Sequence, residues 1–215
     1  MMVVVKGLFK ILLGCLPAAV ACLVSALLVC LDVVVWEGNC SEGGIVEIAQ
    51  SVATLVIVFV LAIIIRRRPD LRGGVWLMFG FFLDIFIREQ DALLDHVYHG
   101  FWVCPALVVA LVCICLAFRS RETLAASFVH VRANRHFDLL ALGLSMLLVF
   151  SRIFGNKIIW KAVVGHDDFR VAKHVAEEGV ELLGYMVLFL WVIMYGRDCL
   201  RGRAKKMGDG DLAGK

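Results

Sequence analysis

The chain has 215 residues, 61% of them apolar and 19% charged, with a mean hydropathy of +0.88 and a formal net charge of +3. A soluble domain is about 45 to 50% apolar and about 25% charged, so this composition excludes a water-soluble globule and makes the bilayer the solvent. The small net charge and short basic runs exclude nucleic acid as a partner. Of the eight cysteines, six lie inside apolar runs and none forms a C-x-x-C pair, which excludes a disulfide scaffold or a zinc ribbon.

A helix needs about 20 apolar residues to cross about 30 Å of hydrocarbon. Six runs meet or approach that length, at 9–36, 45–65, 74–95, 101–118, 137–155 and 174–196. The first has Lys6 before it and Lys10 at its start and is longer than the about 7 to 15 apolar residues of a signal peptide, so it is expected to be retained as a helix. Between the first two runs, Asn39-Cys40-Ser41 matches a glycosylation sequon in a loop too short for its use. The connection 119–136 reads as an amphipathic segment in the headgroup layer, with Leu124, Phe128 and Val131 against Arg132 and Arg135; His130 and His136 are expected to be solvated there. In the connection 155–173, Trp160 suits an interfacial anchor, and His166, Asp167 and Asp168 suit a helix cap or turn. The expected fold is an all-α, polytopic transmembrane bundle of about six spans, one domain over 1–198, followed by a disordered basic tail over 199–215.

Orientation follows from counting basic residues by side. With the N-terminus cytoplasmic, sixteen of the 22 lysines and arginines fall inside and six outside, so both termini are expected in the cytoplasm and the chain in the inner membrane. The acids divide the other way, six inside and thirteen outside, leaving a net +10 against −7. Acidic residues contribute little to topology, so the outer excess calls for another explanation.

Three runs carry ionisable residues at helical spacing in that outer half. On the third, Asp84, Arg88, Asp91 and Asp95 are spaced 4, 3 and 4 apart, with Glu89, His96 and His99 beside or beyond them. On the sixth, His174, Glu178, Glu181 and Tyr185 repeat that spacing, flanked by Glu177; on the second, Glu47, Gln50, Ser51 and Thr54 make a shorter stripe, and Ser151 and Arg152 end the fifth. A charge in hydrocarbon costs at least about 2.5 to 3.5 kcal/mol. Glu47, Asp84, Arg88, Glu89, Asp91, Asp95, Arg152, Glu177, Glu178, Glu181 and Tyr185 are therefore expected to line one polar pocket. Arg88, Arg152, Lys157 and Lys173 can pair with some of its acids, and the remaining acids must be hydrated, protonated or bound to a cation.

His174 with Glu178 and Glu181 forms an N/O ligand set suited to a divalent metal such as zinc, iron or manganese. Three functions follow: binding or transfer of a cation or a cationic or lipid-linked substrate, a metal-dependent hydrolase of outer-leaflet lipid, or an accessory protein whose charges only fix helix pairing.

Several segments carry a resemblance: Glu42-Gly43-Gly44-Ile45-Val46-Glu47, Arg88-Glu89-Gln90-Asp91, Trp102 with Pro105, Ser151-Arg152-Ile153-Phe154-Gly155, and Glu177-Glu178-Gly179-Val180-Glu181-Leu182-Leu183-Gly184-Tyr185. With these the chain resembles an uncharacterised family of bacterial polytopic membrane proteins, over most of its length after the first helix. The resemblance implies a multi-span fold and little chemistry. A looser similarity to the alkaline-ceramidase-like membrane hydrolases lacks their His-x-x-x-His pair in a late helix, since His96 and His99 are three apart and on a different run.

Overall fold

In a computed structural model of the chain, residues 2–36, 43–165 and 169–212 are described, with side chains described at 9, 13–36, 43–165 and 169–201. The sequon at Asn39-Cys40-Ser41 and the cap at His166, Asp167 and Asp168 lie outside the described residues. Among the described residues there is no strand. The helices are α1 (Met2–Cys30), continued by a π-helical turn over Leu31–Val35; α2 (Ile45–Arg67); α3 (Arg72–Glu89); α4 (Val103–Arg119); α5 (Leu124–Ala133); α6 (Phe137–Phe154), containing a π-helical turn over Met146–Phe150; α7 (Lys157–Val164); and α8 (Phe169–Leu212).

Leu13–Val35, Ile45–Arg67, Phe137–Phe154 and Phe169–Arg201 are each long and apolar enough to cross a membrane. Val103–Arg119 with Arg121–Ala133, bent by 81°, makes a fifth if the pair is one span. The 18 residues of α3 include Arg72, Asp84, Arg88 and Glu89, so it has a span's length without its apolar composition. Leu23, Leu27 and Val34 of the first span, Phe59 of α2, and Val108 and Leu111 of α4 are all exposed. Apolar surface on this scale is not tolerated in water, and it suits a bilayer.

The chain divides into two compact units, Met1–Gln50 with Ala141–Leu190, and Ser51–Leu140 with Trp191–Lys215. In the first, Val46 and Leu182 are buried among Leu28, Val29, Val33, Ala49, Val175 and Met186. Gly143 faces Leu188 and the carbonyl of Gly184, where any Cβ would collide, so the two helices approach as small-residue contacts between membrane helices do.

In the second unit, α3 packs on α4 and α5. The α2 helix stops at Arg67 because Pro69 disfavours helical dihedrals at Arg68, which sits at φ −125°, ψ 76°. The start of α3 has no cap of its own from Leu71. Its first N–H groups are satisfied from a distant part of the chain: Gly73 N–H donates to Thr123 Oγ1 at 2.9 Å and Gly74 N–H to Ser127 Oγ at 3.2 Å, while Ser127 donates to the Leu71 carbonyl at 2.8 Å. Phe82, Trp191 and Tyr195, all buried, stack in series.

A Cβ on Gly73 would lie 2.7 Å from the Ser120 carbonyl oxygen and 2.9 Å from Leu124 N, backbone atoms that cannot swing aside. Gly73→Ala should therefore destabilise by about 1 to 3 kcal/mol, the usual cost of overpacking. Thermal unfolding in detergent checks this against Gly14→Ala, where no described atom lies within 4 Å; equal midpoints for the two variants would contradict the packing.

Candidate functional site

The sequence-predicted pocket residues divide between the two units. Glu47, Arg152, Glu177, Glu178, Glu181 and Tyr185 belong to the first, and Asp84, Arg88, Glu89, Asp91 and Asp95 to the second.

In the first unit the continuous α8 carries its stripe from an exposed His174 through a half-buried Glu178 to buried Glu181 and Tyr185. Arg152, placed by the last turn of α6, pairs with Glu181 through Nη2 and with Glu177 through Nη1 at 3.6 Å. The arginine side chain is 45% exposed, whereas those of Glu177 and Glu181 are 14% and 3% exposed. Lys173 also pairs with Glu177, one turn away along α8. Gly155 closes the end of α6 against this carboxylate, and a Cβ there would strike the Glu177 side chain. From α2, the buried Gln50 donates through Nε2 to Glu178, at 3.0 Å to Oε2 and 3.3 Å to the carbonyl. Glu47 accepts from Gly43 N–H and so caps its own helix.

Asp32 extends this polar set beyond the residues predicted. It lies in the π-helical turn that ends the first span and is fully buried; Oδ2 accepts from Val46 N–H at 3.0 Å, at the start of α2, and Oδ1 has no hydrogen-bond partner among the described residues. The carboxylate thus caps α2 from another helix, where the positive end of the dipole favours it. Two signals in the sequence mark Asp32: it is the lone acid in a long apolar run, and intramembrane acids are functional by default.

The expected stripe on the third run is broken in the second unit. The α3 helix ends at Glu89, Gln90 leaves helical geometry at φ −99°, ψ 18°, and Asp91 and Asp95 follow in and after a separate short turn, Asp91–Leu94. Both serve local roles. Asp91 accepts from Ala92 N–H at 2.7 Å, and Asp95 contacts His99 Nδ1 and accepts from Gly100 N–H, each at 2.8 Å, fixing the glycine at φ +82°. Arg88 pairs with the adjacent Glu89 at 3.5 Å. Gln90 donates to Ser51 Oγ at 2.7 Å. Asp84 Oδ1 is buried without a hydrogen-bond partner among the described residues.

Among the described residues no three His, Cys, Asp or Glu side chains are grouped so as to hold a metal ion. The metal set expected from His174, Glu178 and Glu181 is not assembled: Glu181 is engaged by Arg152 and Glu178 by Gln50, while His174 is exposed.

The second unit also contains a network around α8 that the sequence did not suggest. Arg68 pairs with Asp70 at 2.7 Å and donates to the Cys199 carbonyl at 2.9 Å; the buried Cys199 thiol lies 3.6 Å from His130 Nε2. Asp198 accepts from Asn134 at 3.3 Å and Arg135 at 3.2 Å and sits 3.6 Å from His136. His130 and His136, expected to be solvated, are instead half-buried and engaged. Trp191 Nε1 and Tyr195 Oη are buried without hydrogen-bond partners among the described residues.

Searches with the chain match no family model, no curated protein and no solved structure.

Burial, and then the neighbouring Arg135, lower the His136 pKa below the ordinary histidine value, against the opposing pull of Asp198. A depressed folded-state pKa contributes stability that is present above the unfolded pKa of about 6.5 and lost as the pH falls through the folded value. Unfolding midpoints taken from about pH 7.5 down to about pH 5 should fall further in the wild type than in His136→Gln. Parallel curves would assign the loss to other groups.

Proposed function

We propose that the first unit forms a recognition site for a cation, or for the cationic group of a small or lipid-linked substrate, which it binds or transfers. The observation that carries this reading is the mismatch in burial between Arg152 and Glu181: a carboxylate whose side chain is only 3% exposed pairs with a guanidinium that is 45% exposed, while the neighbouring Glu177 divides its charge between Arg152 and Lys173. Such an arginine is a tethered, exchangeable cation. An incoming ammonium or metal cation can replace it at the carboxylates while the guanidinium is released toward water, where its desolvation cost is recovered. Asp32 supplies a further buried acid in the same unit, and its partner among the described residues is a neutral backbone donor. The hydrolase alternative has no grouped metal ligands to support it among the described residues.

A membrane topology of six crossings with both termini cytoplasmic places these acids on the extracytoplasmic side. Lengths support that count: the 18 residues of α3 and 17 of α4 rise about 27 and 26 Å at 1.5 Å per residue, close to the about 30 Å of hydrocarbon. A membrane-impermeant maleimide added to intact cells should label Cys40 from outside, and labelling only in inverted vesicles would reverse the orientation.

Transport or exchange is tested in proteoliposomes. Glu181→Gln should lower uptake of a test cation by about 10-fold or more, the loss of a charge-assisted contact of at least about 1.5 kcal/mol; unchanged uptake rejects the site. One observation favours a second reading, in which the charges only fix helix pairing: Arg152 and Gln50 join α8 to other helices. Under that reading Arg152→Gln destabilises by removing the guanidinium from the buried Glu181, and the double variant Arg152→Gln/Glu181→Gln recovers the wild-type midpoint without any change in uptake.

A further inference from the structure

A cavity of about 280 Å³ opens in the second unit where the ends of α2 and α4 meet the start of α3. Arg66, Arg72 and Arg119 surround it, and Ile65, Trp76 and Leu116 form its apolar wall. Among the described residues no acid lines it.

That absence separates these three arginines from others in the chain. Arg68 is paired with Asp70, Arg88 with Glu89, Arg135 with Asp198, and Arg152 with Glu177 and Glu181. Among the described residues none of Arg66, Arg72 and Arg119 has an acidic partner. Within the run Arg66-Arg67-Arg68 the chain thus neutralises the last arginine internally and turns the first toward the cavity. Arg72 is held in place, since its Nε donates to the Ile65 carbonyl at 3.0 Å. Three guanidinium groups around one opening, with one of them anchored, concentrate positive charge there, and an anion lying between them would offset their mutual repulsion. Ser120 adds a hydroxyl at the rim.

We infer that this cavity is a binding site for the phosphate-bearing headgroup of an anionic phospholipid. Arginine forks match phosphate oxygens in geometry as well as charge, and basic pockets at the ends of membrane helices are where anionic headgroups bind. The apolar wall selects the lipid over free phosphate, because an inorganic ion gains nothing from Ile65, Trp76 and Leu116, whereas the glycerol backbone and the first methylenes of a lipid cover them. The volume is close to the about 300 Å³ lower limit of ligand pockets, enough for a headgroup with its acyl chains outside in the bilayer. On the orientation proposed above, this is the cytoplasmic leaflet, although the site does not depend on that assignment or on the acidic site of the first unit.

The test is native mass spectrometry of the detergent-purified full chain titrated with phosphatidylglycerol, with phosphatidylcholine and inorganic phosphate as alternative ligands. The wild type should retain one phosphatidylglycerol in preference to phosphatidylcholine. Arg66→Gln/Arg119→Gln, which changes two exposed side chains, should weaken that retention by roughly 30-fold, the combined effect of two basic residues at a headgroup. Arg121→Gln, an exposed arginine outside the cavity, should leave retention unchanged. Equal retention by the double variant overturns the site. An equal loss in Arg121→Gln reduces it to the diffuse charge of the surface and overturns it too, and displacement of the lipid by equimolar inorganic phosphate overturns the lipid assignment. Should the double variant fail to fold, Arg119→Gln alone is read in the same way, with a loss of about 5-fold expected.

Discussion

Hydrocarbon does not hydrate charge, and the buried carboxylate of Glu181 meets that constraint with a partly exposed arginine beside it. Much of the first unit is arranged to make this pairing possible. Gly155 removes the side chain that would displace Glu177, Lys173 shares the Glu177 charge from one turn away, and Gln50 occupies Glu178. Breaking a buried ion pair on one side is costly because the remaining charge has nowhere to go. The same expense is what makes such a site responsive to a cation that arrives from outside.

Helix ends obey the related rule that every exposed backbone donor inside a membrane needs an internal acceptor. Two helices satisfy it with side chains far away in sequence. Asp32 holds the start of α2, fourteen residues on, and Thr123 and Ser127 hold the start of α3 from some fifty residues downstream. These caps work as tertiary contacts: each stabilises a helix and fixes its position against a neighbour with the same hydrogen bond. The glycines at positions 73 and 74 are required because the capping segment approaches the backbone itself.

Hydropathy and periodicity located the all-helical class, the long apolar spans and the polar stripe of α8, because each depends on residues close together in one helix. The stripe on the third run failed for a local reason that spacing does not record, the departure of Gln90 from helical geometry, which hands Asp91 and Asp95 to a turn. The metal set failed for a non-local one: Arg152 and Gln50 claim the carboxylates first, and one-dimensional spacing on α8 has no knowledge of either. Asp32 was present in the sequence as a solitary acid in an apolar run, yet only its approach to Val46 reveals what it does. Likewise His130 and His136 lie in a connection that reads as an amphipathic segment with both rings solvated, and the folded chain brings Cys199 and Asp198 to them.

The π-helical turn at Met146–Phe150 sits immediately before Ser151 and Arg152. A π-helical turn accommodates one residue more than the α-helical path it replaces, so it acts as a phase shifter: everything beyond it is rotated by about 100° relative to an uninterrupted α-helix, one residue's share of a turn. The direction in which Arg152 leaves α6 is therefore set by the length of the chain before it as much as by its own rotamer. Removing one residue from Met146–Phe150 would regularise the helix and keep its composition, while turning the guanidinium away from Glu181. The wider turn is the geometrical record of that choice between a regular helix and a correctly aimed charge.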